Sequence, residues 1–289
     1  MRRAHSERAL EAVVADALAA RAGDVLVAAV SGGPDSAALA GLLARHAEIA
    51  GARLVLGHVN HGIRSTAMRD EGVVLALGAA LGARTLVRAL VPGGASEARL
   101  RAARYAALAE IARDAGAQRV VTAHHAEDQT ETVLLALFRG TGPAGLAGMP
   151  PSRRLGPGVA LVRPLLGIPR ADLVAYCEAR LLPYALDPTN DDAAYRRNAV
   201  RGALADLRRS FPGLDAAVAR FAAIAREERA GSERAALRRR LREELDLGTG
   251  QVPEMTYERL DAVARALQGR RPGRHFISRG VEVTIRRQA

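Results

Sequence analysis

An apolar run, Asp24-Val-Leu-Val-Ala-Ala-Val30, stops at Ser31-Gly-Gly-Pro-Asp-Ser36, and an apolar-periodic stretch follows from Ala37 to Ile49. That order predicts a buried strand, a tight glycine turn and a helix N-terminus. At such a turn main-chain N–H groups can close on an anion, and the helix dipole adds partial positive charge. Gly32 and Gly33 carry no Cβ to block the approach. The loop therefore reads as a phosphate cradle formed by Ser31, Gly32, Gly33, Pro34, Asp35 and Ser36.

Two common phosphate loops are excluded by the letters themselves. A Walker A loop needs a lysine after its second glycine. All 42 basic Lys+Arg residues of this chain are Arg, so no such lysine exists. A dinucleotide fingerprint needs Gly-x-Gly-x-x-Gly, which Gly32-Gly33-Pro34-Asp35 does not supply.

Apolar runs alternate with amphipathic stretches over the first two thirds of the chain. Strands are predicted at Asp24–Val30, Arg53–Val59, Arg84–Leu90, Arg119–His124 and Val159–Arg163. Helical patterns lie between them at Asp35–Ala50, Thr66–Leu81, Ser96–Ala115 and Glu127–Phe138. This alternation indicates an α/β fold, a parallel sheet with helices on both faces. Ligands in such sheets sit at the carboxyl ends of the strands. After Arg208 the pattern changes to one long helix, Leu214–Leu245, a shorter one, Met255–Gln268, and a strand-like end, Val281–Ile285. A catalytic domain over 1–208 and a smaller, mainly helical C-terminal domain over 209–289 are expected. The latter holds 17 Arg against 11 acidic residues and is the more basic per residue.

The formal net charge of +11 implies a polyanionic partner, because guanidinium forks bind phosphate bidentately. Aromatic residues make up only 3% and there is no Trp, which argues against a base-stacking platform. A single cysteine, Cys177, excludes intrachain disulfides and multi-cysteine metal sites. No apolar run approaches the ~20 residues of a membrane span, and no signal-peptide core follows the N-terminus. A cytoplasmic protein with no membrane partner is expected.

Further polar blocks begin where predicted strands stop. His58-Val-Asn-His-Gly-Ile-Arg64 follows the second strand, and Asn60 and His61 there are candidates for reading a nucleotide edge or binding phosphate. His58 and His61 lack the partners of a zinc site. Thr122-Ala-His-His-Ala-Glu-Asp-Gln-Thr-Glu-Thr132 follows the fourth strand. Asp128 and Glu131, three apart at a helix start, share a face and suit a magnesium ion or an ammonium group. Arg101, Arg104 and Tyr105 fall on neighbouring faces of the third helix. In Asp187–Arg201 a turn leads to Arg196, Arg197 and Arg201 at a helix start, a good place for RNA phosphates.

The loop resembles the Ser-Gly-Gly-x-Asp-Ser loop of the PP-loop ATP pyrophosphatases. Taken with His58–Arg64, Glu97–Tyr105, Thr122–Thr132, Arg139-Gly-Thr-Gly142, Gly145-Leu-Ala-Gly-Met149, Arg163-Pro-Leu-Leu166 and Asp187–Arg201, the chain resembles the tRNA(Ile)-lysidine synthase family from Val25 to about Arg201. The resemblance implies ATP and Mg2+ as cofactors, and free L-lysine and an isoleucine tRNA with a CAU anticodon as partners. ATP would adenylate the C2 oxygen of the wobble cytidine, and the lysine ε-amine would then displace AMP. By the same resemblance Asp35, and with it Asp128, would hold magnesium. Asp128 and Glu131 would receive lysine, with Arg104 against its carboxylate. Arg196, Arg197 and Arg201 would touch tRNA or the α-phosphate. Larger family members carry a further C-terminal domain, which this chain is expected to lack; a homodimer is left open. The rival readings are a PP-loop tRNA thiolase, for which Cys177 is poorly suited, an amidotransferase-type synthetase, and a non-catalytic ATP-dependent tRNA-binding module.

Overall fold

A computed structural model describes residues 6–60, 67–90, 97–142, 144–186, 196–249, 257–269, 273–278 and 281–285. The chain divides into two compact units, 1–140 with 148–219, and 141–147 with 220–289. The composition change after Arg208 lies in the helix that precedes this break.

The first unit contains six strands: β1 (Val25–Ala29), β2 (Arg53–Asn60), β3 (Arg84–Ala89), β4 (Arg119–Val121), β5 (Ser152–Gly156) and β6 (Val159–Val162). They form one sheet in the order β3-β2-β1-β4-β6-β5. All neighbours are parallel except β5, which pairs antiparallel with β6. The five expected strands are all present. The sheet differs from the expected all-parallel one in its antiparallel edge, a polar strand too exposed to read as an apolar run.

Helices α1 (Glu7–Leu18), α2 (Pro34–Ala50), α3 (Ala67–Ala80), α4 (Glu97–Ala115), α5 (Ala126–Phe138), α6 (Arg170–Ala179) and α7 (Arg196–Ser210) complete the unit, and α8 (Leu214–Ala230) crosses into the second. The strands separate two cores by their period of two. Leu26, Ala28 and Val30 join Leu10 and Val14 of α1, Leu39 and Leu43 of α2, and Leu173 and Tyr176 of α6. Val25 and Val27, with Val55, Val120 and Leu161, pack instead against Leu108 and Ile111 of α4. The sheet is thus buried on both faces, which explains its near-continuous apolar strands.

The second unit holds α9 (Glu233–Thr249), α10 (Tyr257–Gln268) and an antiparallel hairpin of β7 (Gly273–Ser278) and β8 (Val281–Ile285). The single long helix expected over Leu214–Leu245 is two helices, broken at Gly231, whose φ is +61°. Glycine enters that left-handed region without a Cβ penalty, which makes it the commonest residue at such a helix end. Leu241, Leu260, Val263 and Ala264 form the small core between α9 and α10. Arg238 is 3% exposed and donates to Glu227 and Asp261 at 2.7 Å each and to Glu228 at 3.0 Å. Part of the arginine run Arg238–Arg240 is therefore an internal tie. Among the described residues no helix is long and apolar enough to cross a membrane.

Gly41 marks where α2 meets α6. A Cβ there would stand 2.7 Å from Leu182 Cδ1 and 3.1 Å from Tyr176 Cε1. Gly41→Val is expected to wedge the two helices apart and cost about 1–3 kcal/mol, seen as a lower urea midpoint with an unchanged slope. An unaltered midpoint would show that the helices do not depend on this approach.

Candidate active site

The order β3-β2-β1-β4 means that the chain runs outward from β1 in one direction and then returns to start β4 on its other side. The loops after β1 and β4 diverge there, which leaves a crevice at the carboxyl edge between them. Residues 31–36 form the first loop and residues 122–131 the second.

Gly32 has φ +94°, a conformation that favours glycine. Gly33 is the N-cap of α2 and Pro34 its first residue, and no side chain caps this end. The first-turn amides of α2 thus lack intrahelical acceptors and remain available to an anion. Pro34 has no N–H to lose there. The Ser36 hydroxyl closes the loop: it accepts from the Ser31 N–H at 3.1 Å and donates to the Gly33 carbonyl at 2.9 Å. Behind the turn the buried Cys177 Sγ donates to the Pro34 carbonyl at 3.2 Å. Burial pushes that thiol up to about 12, so it is a packing group and not a nucleophile.

Asp35, from the first loop, and Asp128, from the start of α5, converge on one imidazole. His125 Nε2 lies 3.8 Å from Asp35 Oδ2 and 3.4 Å from Asp128 Oδ2. Its Nδ1 lies 3.0 Å from Glu127 Oε2, and its backbone N–H donates to Asp128 Oδ2 at 3.2 Å. His125 is 5% exposed. Burial alone lowers its pKa, but the Glu127 hydrogen bond and the Asp128 and Asp35 charges outweigh burial and raise it. Arg170 completes the group. Its Nε donates to Asp35 Oδ1 at 3.1 Å, and its backbone N–H donates to Glu127 at 3.0 Å. Burial alone would raise the Glu127 pKa; its hydrogen bond with His125 and the bond from Arg170 outweigh that and hold it low.

Glu131 is 1% exposed and accepts from Arg201 Nε at 2.8 Å and Nη2 at 3.3 Å. The structure therefore joins two residues to which different partners were assigned from sequence. The buried Gln129 holds the backbone beside Gly148: its side chain donates to the Met149 carbonyl at 3.1 Å and accepts from the Met149 N–H at 2.8 Å. Asn60 ends β2 and donates to Glu71 Oε2 at 3.1 Å. His58 is buried with Nδ1 2.8 Å from the Val30 carbonyl, tying β2 to the start of the loop. Arg104 stands with Tyr105, 5.4 Å from the ring centre, and its charge reaches His124 together with that of Asp128. His61 lies outside the described residues, as do the side chains of Arg196 and Arg197 at the start of α7.

Asp35 and Asp128 are the described residues that fit magnesium, which takes one or two carboxylates and completes its shell with water and substrate phosphate. They converge on one nitrogen beside the uncapped turn, and two carboxylates match the number that magnesium takes from protein. No cage of three or more His, Cys, Asp or Glu ligands occurs among the described residues. Glu127, His125 and Arg170 were not singled out from sequence. His125 and Glu127 flank a block that the sequence does mark, whereas Arg170 opens α6, far from Asp35 in the chain, and carries no local signal.

A PP-loop domain model matches residues 3–207. The chain belongs to the PP-loop family. Among PP-loop proteins it is similar to a protein from Ralstonia nicotianae named tRNA(Ile)-lysidine synthase, with 44% identity over 68% of this chain and 43% of that one. A protein of the same name from Methylobacterium nodulans is 42% identical over 73% of this chain and 62% of the relative. The chain spans roughly half the length of such relatives. A solved PP-loop-like fold, the U34-tRNA thiolase of Methanococcus maripaludis with its iron–sulfur cluster, superposes with a TM-score of 0.63 at 17% identity, covering 74% of this chain and 76% of that one.

The two adjacent histidines provide a pH test. Burial, with Arg163, Arg104 and Arg101 nearby, lowers His124 to about 3 despite the Asp128 charge. His125 is raised above its ordinary 6.5. A raised folded-state value stabilises the fold below the ordinary pKa, and that contribution is lost as pH rises through the raised value. Imidazole NMR titration without divalent cation is expected to show one signal that protonates only near pH 3 and another that titrates above 6.5. His125→Gln should remove only the second. Ordinary midpoints for both would contradict the charge arrangement.

Proposed function

We propose that this chain carries the catalytic part of a tRNA(Ile)-lysidine synthase: it ligates free L-lysine to C2 of the wobble cytidine of an isoleucine tRNA with a CAU anticodon, at the expense of ATP. The observation that carries the reading is the meeting of Asp35 and Asp128 at His125, beside an uncapped glycine turn, in a PP-loop chain 42–44% identical to proteins of that name. In this reading residues 1–208 are catalytic and residues 209–289 form a basic appendage for RNA, in a cytoplasmic protein.

The turn amides of Gly32, Gly33, Asp35 and Ser36 would hold the β- and γ-phosphates of ATP and stabilise the charge that develops as pyrophosphate leaves. Asp35 and Asp128 would hold Mg2+, which when bound neutralises phosphate charge. The cytidine O2 attacks the α-phosphorus, and the bond to pyrophosphate breaks. The lysine ε-amine then attacks C2 and the C2–O bond to AMP breaks. An ammonium must lose a proton before it can attack, and a carboxylate at the site accepts that proton. Glu131 and Asp128 supply the negative charge that would draw the ammonium in. For that, Arg201 must yield its bidentate hold on Glu131 and becomes free to meet phosphate. Thiolation would need an accessible thiolate, and the sole cysteine is buried with a pKa near 12.

The test is incubation with ATP, labelled lysine and CAU-anticodon tRNA. Label is expected in the RNA, with AMP and pyrophosphate as co-products. Asp35→Ala should reduce pyrophosphate release to background while the protein still folds. Normal turnover by that variant, or AMP never appearing as a product, overturns the reading.

A further inference from the structure

Arg170 joins the group around His125 from outside both strand-end loops, as the first residue of α6. Its main chain and its side chain serve different loops. The backbone N–H donates to Glu127 Oε2 at 3.0 Å and Oε1 at 3.2 Å, which fastens the start of α6 to the loop after β4. Any residue but proline would keep that bond. The guanidinium reaches the loop after β1, where Nε donates to Asp35 Oδ1 at 3.1 Å and Oδ2 at 3.3 Å. A guanidinium carries five N–H donors in a planar fork. Asp35 engages the one on Nε, and the Nη groups make no hydrogen bond among the described residues.

Asp35 therefore faces two nitrogen groups, Arg170 Nε on one side and His125 Nε2 at 3.8 Å on the other. A divalent cation that takes Asp35 as a ligand competes with both for the same oxygens. The two differ in how easily they leave. The His125 side chain is 7% exposed and held at Nδ1 by Glu127, whereas that of Arg170 is 49% exposed. An ion pair so open to water contributes little, and breaking it strands no buried charge. Arg170 is thus the cation that can yield. Its main-chain bond to Glu127 keeps it at the crevice edge when it does, beside the turn whose amides are open to an anion. A freed fork in that place suits a phosphate, which it can hold bidentately.

We propose that Arg170 is an exchangeable counter-ion: it holds Asp35, gives that carboxylate up to a divalent cation, and moves onto a phosphate of the nucleotide. The inference rests on the reading of an ATP-dependent site given above. One side chain would thereby link occupation of the carboxylate to binding of the nucleotide. A purely structural ion pair is a poorer account of the geometry. The helix end is fastened by main chain, so the fold does not need the guanidinium, and Asp35 uses only the Nε donor of the fork.

The experiment uses the full chain and two readouts: binding of Mn2+ alone, by electron paramagnetic resonance without nucleotide, and the KM for ATP in tRNA-dependent pyrophosphate release. Arg170→Ala removes the competitor and is expected to tighten Mn2+ binding about two- to fivefold. The same variant loses a charge-assisted contact to phosphate and should raise the KM for ATP about tenfold. The opposite signs are the signature. The KM for lysine and the thermal midpoint should not change. Arg170→Lys keeps a charge without the fork, so it should return Mn2+ binding toward wild type and leave the KM for ATP raised; it also serves if the alanine variant folds poorly. Unchanged Mn2+ binding in Arg170→Ala would show that the guanidinium does not compete for Asp35 and overturn the proposal. Tighter Mn2+ binding with an unchanged KM for ATP would send the freed guanidinium to water and overturn it too. Wild-type protein that binds Mn2+ no better than Asp35→Ala and does not bind ATP would remove the underlying reading, whereas Asp35-dependent binding indifferent to Arg170 removes only this inference.

Discussion

The site exists because β1 and β4 are neighbours in space with almost a hundred residues between them. Each strand ends at the same edge, and the segments that leave them diverge, so no main chain fills the gap. The β1 loop contributes amides and one carboxylate, Asp35; the β4 loop contributes His125, Glu127 and Asp128. Their contact through His125, backed by Arg170, which donates to both Asp35 and Glu127, ties the two loops together. The Ser36 hydroxyl braces the first loop, because it bridges the Ser31 N–H and the Gly33 carbonyl within the turn. Glycine at 33 leaves the helix end uncapped, which sacrifices a few tenths to about 1 kcal/mol of local stability relative to a good cap. The amides left unsatisfied by that choice are the ones an anion can use.

Adjacent residues on an extended backbone project to opposite sides, and His124-His125 turns this into a division of charge. His125 lies on the side of α2 and α6, among Asp35, Glu127 and Asp128. Its neighbour His124 senses Arg101, Arg104 and Arg163, on the side of α4. One imidazole is thereby driven toward the cation and the other held neutral. The carboxylates on the first side already have cationic partners in Arg170, His125 and Arg201, so a substrate cation must displace a resident one. The second side has no described carboxylate to displace. Negative and positive side chains are therefore sorted onto different faces of the same strand end.

Much of this fold was legible, and the gaps have specific causes. Strands such as Val25–Ala29 and Arg53–Asn60 are buried on both faces, so they appear in sequence as apolar runs bounded by polar turns. Ser152–Gly156 has three exposed residues in five and carries no such signal; only its pairing with β6 makes it a strand. Helix α1 was readable from Ser6 as cap and from Leu10, Val14 and Leu18 at a spacing of four, but it precedes the first strand and no motif drew attention to it. The glycine turn and the Asp128–Glu131 pair were visible because each is local. Arg170 was not, since nothing in its neighbourhood of sequence indicates that its guanidinium reaches Asp35, 135 residues earlier.

Charge counts mislead for a related reason. Composition places the denser excess of arginine after Arg208, and that alone suggests where a polyanion would bind. In the second unit, however, Arg234, Arg238, Arg239 and Arg265 are engaged with Glu227, Glu228 and Asp261, and Arg238 is buried. A guanidinium held by carboxylates on several sides offers little field to a distant phosphate, and releasing it would strand buried acids. Around Tyr105, by contrast, Arg101, Arg104 and Arg153 have no carboxylate partner among the described residues. The potential that a polyanion meets depends on unneutralised charge and its geometry, so arginines already held by carboxylates count for less than their number suggests.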